Sequence, residues 1–510
     1  MSEQKGKSDG KLLRSLSLLD ATMIVVGSMI GSGIFIVSAE SARLVGAPGW
    51  LLVAWVLAGV LTITGALCYA ELAAMMPRAG GPYVFLREAY SPAVGFLYGW
   101  SGFLIIQTGT IAAVAVAFAS FLGVLTESVS GSIYIVEPII FGRYAVSLSR
   151  QQLVAIGVIA LLTWTNTRGL KLGKFIQNTF TFTKTAALMA LIAIGLLLGW
   201  NARGAAFTAS WWDSAANGWN QNAVQPGLEG FGGLAFLLIL GRAMTGPLFS
   251  QSAWDNVTFT ASEVENPGRN LPRALLIGCT LVVALYLLAN VAYIVTLPLD
   301  AIQSAPQNRV ATLVMQQIFG APGTVLMAVA IMISTFGCNN GLILAGARVT
   351  YSMARDRLFF AAVGTTNARH VPAVALVAQG VWAVLLVLPR TVTRDAQTGA
   401  PVYGNVYTQL LEYIVSVDLL FGALSVAAVI VMRRKAPEAV RPYRTLGYPV
   451  VPAIFLTLSV FLIFTMAYLA PTTSGIGFLL VLTGIPVYFI WSRRAAPRSA
   501  FETETADVKS

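Results

Sequence analysis

The sequence predicts an all-α polytopic membrane protein: twelve transmembrane helices, ten of them in two inverted repeats of five. Three observations predict it. Of 510 residues, 56% are hydrophobic and only 11% charged, with a mean hydropathy of +0.73, whereas soluble globular chains carry about 25% charged residues. The apolar residues come in runs long enough to cross a hydrocarbon core of about 30 Å at 1.5 Å per residue. Two of those runs, five apart, are interrupted in a similar way.

The predicted spans lie at 17–44, 49–76, 92–126, 151–167, 171–200 and 229–259, then at 272–296, 322–352, 371–390, 405–432, 449–470 and 473–492. Each is read as a helix, because a helix satisfies its own backbone polar groups in lipid; the in/out alternation of a membrane barrel is absent. The divisions that follow are an N-terminal tail over 1–16, helices one to five over 17–200 and a connection over 201–228. Helices six to ten then occupy 229–434 and helices eleven and twelve 449–492, before a tail over 493–510.

Basic residues orient these spans. With the N-terminus inside, 24 of the 33 Lys and Arg residues fall on inner segments or inner span ends and seven on outer ones, and two remain, Lys184 and Arg242. This is the positive-inside pattern. It places both termini in the cytoplasm and turns the net charge of +11 from a nucleic-acid signature into a record of topology. The connections 127–150 and 201–228 are then external. Residues 82–90, PYVFLREAY, are too short and too charged to span and are expected to lie along the inner face. No cleavable signal precedes the first span, whose apolar run is too long for one.

Metal, disulfide and nucleophile chemistry find little support. Cys68, Cys279 and Cys338 all lie inside spans, with no CxxC or Cys/His cluster, so no external cysteine is offered to a disulfide-linked subunit. The single histidine, His370, sits in a polar connection beside Pro372. No cofactor is expected.

Span one contains GSMIGSGIF, Gly27 to Phe35, with three glycines and two serines in nine residues. Glycine costs about 1 kcal/mol per helix position relative to alanine, so an unwound stretch is expected there. Backbone unpaired at that depth is tolerated only against a cavity or ligand; GxxxG packing through Gly27 and Gly31 is the competing reading. Span six reads GRAMTGPLFSQSAWDN, Gly241 to Asn256, where Pro247 removes a backbone donor. A shift of five spans reverses direction across the membrane, so the pair implies inverted repeats, and interrupted helices in matching places point to a transporter's central site. Free N–H groups at one half-helix end suit a carboxylate, and free carbonyls at the other suit an ammonium. An α-amino acid carries both.

Four stretches then resemble the amino acid–polyamine–organocation superfamily, in its L-type amino acid transporter branch: GSMIGSGIF at 27–35, YAELAAMMPRAGGPYVFLREAY at 69–90, WDNVTFTASEVENPGRNLPRAL at 254–275 and RPYRTLGYPVVP at 441–452. The resemblance implies a LeuT-type fold. It also implies that N–H groups of Ser32 and Gly33, with Gly31, hold the substrate carboxylate. Carbonyls of Met29, Phe249 and Ser252 would face the ammonium, the Phe249 ring would gate the site from outside, and Ser28 and Ser250 would line the same breaks. The family has a glycine pair before the span-six tryptophan, whereas here Ser252-Ala253 precedes Trp254, which should narrow the room for a side chain.

Lys184, in NTFTFTKTAALMA of span five, either snorkels to the interface or, as the resemblance implies, takes the place of a sodium ion and braces the first broken helix; an ionisable residue within a span is a functional candidate by default. Arg242, Glu71, Arg78, Glu263, Glu265 and Arg269 are expected to pair with neighbouring helices, and Asn339 and Asn340 to bond between helices; Gln107 and Asp418 stay open.

The expected function is secondary transport of L-amino acids, small or medium and neutral, by alternating access in a bacterial inner membrane. It is expected to be sodium-independent, by exchange or with the proton as coupling ion. Cationic amino acids or polyamines are the alternative substrates. An intramembrane enzyme lacks a nucleophile–base pair or HExxH motif, a channel its filter loop, and no Walker A motif supplies ATP energy.

Overall fold

A computed structural model describes residues 16–78, 80–168, 170–367, 371–394 and 400–492, with side chains omitted over 170–178. The two tails to residue 15 and from residue 493, His370 and Arg369 lie outside the described residues, as do the side chains of Lys171 and Lys174.

Ten helical segments are long and apolar enough to cross a membrane, from Leu18–Ile36 to Pro471–Ser492. The other two predicted spans are helical too, over Arg150–Thr167 and Ala373–Val387. The latter has 15 residues, about 22 Å of helix, which is short of a core of about 30 Å. Its predicted last residues, Pro389 and Arg390, belong to a strand instead. Local chemistry sets the starts. Ser17 and Asp20 form a reciprocal capping box at the first helix, and Ser149 and Gln152 form another. Prolines 48, 82, 92 and 267 stand in first turns, where a missing N–H costs nothing. The charged segment 82–90 is a helix over Pro82–Ala89.

The Pro267–Thr296 helix packs along both Pro48–Met75 and Leu18–Met29. Gly278 permits the close approach: a Cβ there would lie 2.8 Å from that of Val25. At one end of the bundle, buried Glu71 accepts from Arg433 Nε at 2.9 Å, Arg433 Nη2 at 2.7 Å and the Thr445 amide at 2.7 Å. Nearby helix ends are joined by Arg87 with Asp356 and by Arg348 with Glu263 at 3.1 Å.

The other end carries an antiparallel sheet that the sequence reading does not anticipate. Its strands are β1 (Tyr134–Phe141), β2 (Tyr144–Ser149), β3 (Pro389–Arg394) and β4 (Pro401–Tyr403), in that order. Gln152 Nε2 donates to the Val387 carbonyl at 2.8 Å, and Gln409 Oε1 accepts from the Thr391 amide at 2.7 Å. The sheet is thereby fastened to the helices beneath it. The connection 201–228 folds onto the end of the first segment. There the Trp219 indole donates to Leu44 O at 3.0 Å and Ser214 Oγ to Val45 O at 2.6 Å.

Candidate functional site

The first segment divides into Leu18–Met29, Gly33–Ile36 and Ser38–Val45, so the helix is interrupted at residues 30–32, within the glycine cluster. Among the described residues the amides of Gly31, Ser32 and Gly33 donate to no backbone carbonyl. Those three N–H groups open the short Gly33–Ile36 helix, where dipole character favours negative charge.

The carbonyls before and after the break are met from other helices. Gly27 O accepts from Lys184 Nζ, and Ser28 O faces Cys338 Sγ at 3.6 Å. Met29 O accepts from the Tyr286 hydroxyl at 2.8 Å and Ile34 O from the Tyr293 hydroxyl at 3.1 Å. Lys184 is fully buried; it points inward rather than toward an interface. Ser32 Oγ lies 3.0 Å from the Tyr407 hydroxyl. Tyr286, Tyr293, Cys338 and Tyr407 were not among the expected site residues. The spacing of Tyr286, Asn290 and Tyr293 put three hydrogen-bonding side chains on one helix face, a signal the sequence did carry.

The second segment corrects the expected place of its break. Gly246-Pro247 lies inside a helical turn, Thr245–Ser250, and the chain leaves helical geometry afterwards, over 251–255. Proline frees the carbonyl four residues earlier, which is that of Ala243, and Ser41 Oγ donates to it at 2.8 Å. The helix divides at a single turn residue, Met244, between Gly233–Ala243 and Thr245–Ser250, and resumes through Pro247. Ala253 then turns the chain at φ +64°, a left-handed conformation that costs a non-glycine residue roughly 1–2 kcal/mol.

The two interruptions touch. A Cβ on Gly33 would lie 2.7 Å from Ser250 Cβ and 2.9 Å from its Cα, so only glycine admits this approach. The Phe249 ring meets Tyr407 edge-on, centroids 6.0 Å apart. Ser28, Met29, Gly31, Ser32, Gly33, Phe249 and Ser250 are buried around this contact. The Phe249 carbonyl, expected to face an ammonium, accepts from Ser252 Oγ at 2.7 Å and from the Ser252 amide at 3.2 Å. Ser252 instead lines a small chamber of about 50 Å³ with Gln251, Trp254, Asp255 and Asp418. Among the described residues neither of those carboxylates has an ion-pair partner within 4 Å.

Several of the remaining polar residues of the spans have structural partners. Arg242 meets Glu412 at 3.4 Å and also Gln225, and Asn340 Oδ1 accepts from Asn166 at 2.9 Å. Gln107 Nε2 donates to Leu342 O at 2.7 Å, whereas both side-chain polar atoms of Asn339 are buried without a partner. All three cysteines are free and buried.

Comparison with known proteins places this geometry. The profile of the family described as amino acid permease matches residues 16–491. The large neutral amino acids transporter small subunit 2 of Mus musculus is 29% identical over 481 residues, covering 94% of this chain and 81% of that protein. The Asc-type amino acid transporter 1 of Mus musculus is 28% identical over 482 residues, 94% of this chain and 81% of its own length. The cystine/glutamate transporter of Homo sapiens is 27% identical over 497 residues, 96% and 88% respectively. A multi-pass membrane protein matched by that profile over almost its whole length, this chain belongs to the amino acid permease family of the amino acid–polyamine–organocation superfamily.

Proposed function

We propose that this protein is a secondary transporter that moves L-amino acids across the plasma membrane by alternating access, without sodium. The observation that carries the reading is the contact of Gly33 with Ser250, which sets the free amides of Ser32 and Gly33, with that of Gly31 beside the Tyr286 hydroxyl, against the second interruption. A carboxylate fits the amides, and Lys184 on the Gly27 carbonyl supplies the fixed cation that makes a sodium ion redundant. A relative named as a transporter of large neutral amino acids supports a neutral substrate, and Ser252-Ala253 before Trp254 favours a small or medium one.

The same reading takes twelve spans, the short Ala373–Val387 helix included, as inverted repeats 1–5 and 6–10 with both termini cytoplasmic. The sheet end is then external and the Glu71 end internal. Uptake of labelled amino acids into proteoliposomes, with and without internal amino acid, tests transport and separates exchange from proton symport. Absence of uptake under both conditions would reject it. Maleimide labelling of a single cysteine at position 440 should fail in intact cells and succeed in inverted vesicles.

One observation favours a second substrate class. Asp255 and Asp418 line the chamber beside Ser252 without a cationic partner, which suits a substrate with a basic side chain. Excess L-lysine or L-arginine should then compete with neutral uptake, and Asp255→Asn should remove that competition alone; no competition by either would exclude the class.

A further inference from the structure

Above Tyr407 and beneath the sheet lies a cavity of about 350 Å³ that shares only Tyr407 with the central site. Its walls bear hydroxyls and amides, among them Ser120, Gln307, Asn308 and Asn405, together with one cation, Arg390. None of the lining residues is acidic. Arg390 is only 7% exposed. It donates from Nη1 to the Tyr134 hydroxyl at 3.1 Å and from Nη2 to the Gly131 carbonyl at 3.0 Å, while its Nε is buried without a partner. Two neutral acceptors occupy a group that carries five N–H donors.

A buried cation is costly unless it is paired, and burial pulls this guanidinium below its ordinary value, as expected where nothing negative offsets the charge. Position argues for a use. β3 holds Arg390 through the pairing of Arg390 with Ala145 and the Thr391–Gln409 bond, so the group is preorganised rather than free to swing into solvent. The floor of the cavity is Tyr407, whose hydroxyl touches Ser32 at 3.0 Å. A molecule in the cavity is one side chain away from the free amides.

We propose that this vestibule is an external docking subsite for amino acid substrates, in which Arg390 anchors the carboxylate before the molecule passes Tyr407. The claim rests on the transport reading and adds a second carboxylate site to it. The guanidinium presents paired donors to a planar carboxylate, and the neutral hydroxyls and amides around it accept from the ammonium. Lysine at this position would keep the charge and lose the planar fork.

The test compares the two faces of the membrane. In intact cells, R390Q should raise the KM for uptake from outside about tenfold, as loss of a charge-assisted hydrogen bond implies, with the maximal rate within about twofold. In inverted vesicles, the KM from the cytoplasmic face should stay within about twofold of the wild type. R390K should shift the outer KM by about threefold only, and it serves as the reading if R390Q fails to reach the membrane. Equal KM changes on both faces, or no change outside, would overturn the proposal. If the wild type carries no amino acid in either direction, the transport reading fails by itself. Equilibrium dialysis of labelled L-leucine against purified protein then decides the docking claim: binding by wild type that weakens at least about fivefold in R390Q sustains it, and equal binding or none rejects it.

Discussion

Around the first interruption four carbonyls are met from other helices: Gly27 by Lys184, Ser28 by Cys338, Met29 by Tyr286, Ile34 by Tyr293. Around the second, polar groups are left over. Gln251 Oε1 and Asn256 Nδ2 are buried without a partner, and Asp255 and Asp418 face a chamber without a cation. The first is built from glycines and locked by four other residues, whereas the second turns on an alanine held at φ +64°. Satisfied polar groups rigidify and unsatisfied ones retain the capacity to bind. The comparison therefore assigns the first break to holding shape around the buried free amides of Ser32 and Gly33, and the second to change.

The largest effect should come from removing the lock. Lys184→Ala leaves the Gly27 carbonyl buried and unpaired, at roughly 1–3 kcal/mol, and deletes the one cation that bonds the first break among the described residues. Uptake should fall to near background, while wild-type uptake should be equal in sodium and choline buffers. An alanine variant with full activity, or sodium-stimulated wild type, would remove Lys184 from this role.

Next is the contact between the two regions. Gly33→Val drives a branched side chain into Ser250, an overpacking of typically 1–3 kcal/mol, and shields the amides. Substrate binding by purified protein should be lost. The double variant Gly33→Ala, Ser250→Gly removes the Oγ and Cβ that the added methyl meets and leaves only the 2.9 Å approach to the Cα of residue 250, so it should bind more tightly than Gly33→Ala alone. Additive or worse behaviour would mean that the contact does not couple the breaks.

A smaller effect is expected one layer out. Tyr286→Phe keeps the ring that packs on Trp55 at 5.6 Å and deletes only the hydroxyl bonded to Met29 O. Stability should drop by about 1–3 kcal/mol, read as an earlier thermal transition of purified protein, with substrate affinity changed less than in the Gly33 variants. If affinity rises instead, Met29 O is available to the ammonium once the tyrosine releases it.

How much of this was legible depends on what each residue's neighbours do. The interruption at residues 30–32 was readable because glycine and serine weaken a helix from within, wherever they sit. Pro247 pointed to the lesser division, the turn at Met244, rather than to 251–255, because a proline's cost depends on the carbonyl it frees, and Ser41, more than two hundred residues earlier, donates to that carbonyl. The sheet was missed for a related reason. YIVEPIIF and YAVSLS are β-branched and aromatic runs flanking Gly142, a hairpin signal, but they sat in connections where only span-length apolar runs were sought. Ala373–Val387 ends early because Arg390 joins that sheet. Tyr286 and Tyr293 looked like ordinary span residues; only the helix opposite makes them partners of a broken backbone.

The smallest effect sharpens the comparison most. Ala253 sits where backbone geometry asks for glycine, and the resemblance to the family expects a glycine pair at this point. Ala253→Gly should relieve about 1 kcal/mol of left-handed strain and so delay thermal unfolding slightly, although glycine returns part of that through its freer unfolded chain. The methyl it removes borders the chamber lined by Ser252, Trp254 and Asp255. If the second break is the adaptable one, the variant should gain uptake of bulkier neutral amino acids while keeping its rate for small ones. Competition of labelled L-alanine uptake by L-phenylalanine measures this: stronger competition in the variant supports the assignment. An unchanged substrate range with altered stability would show that residue 253 shapes only the backbone, and would move the limit on substrate size back to Phe249 and Tyr407, whose rings meet where the two breaks touch.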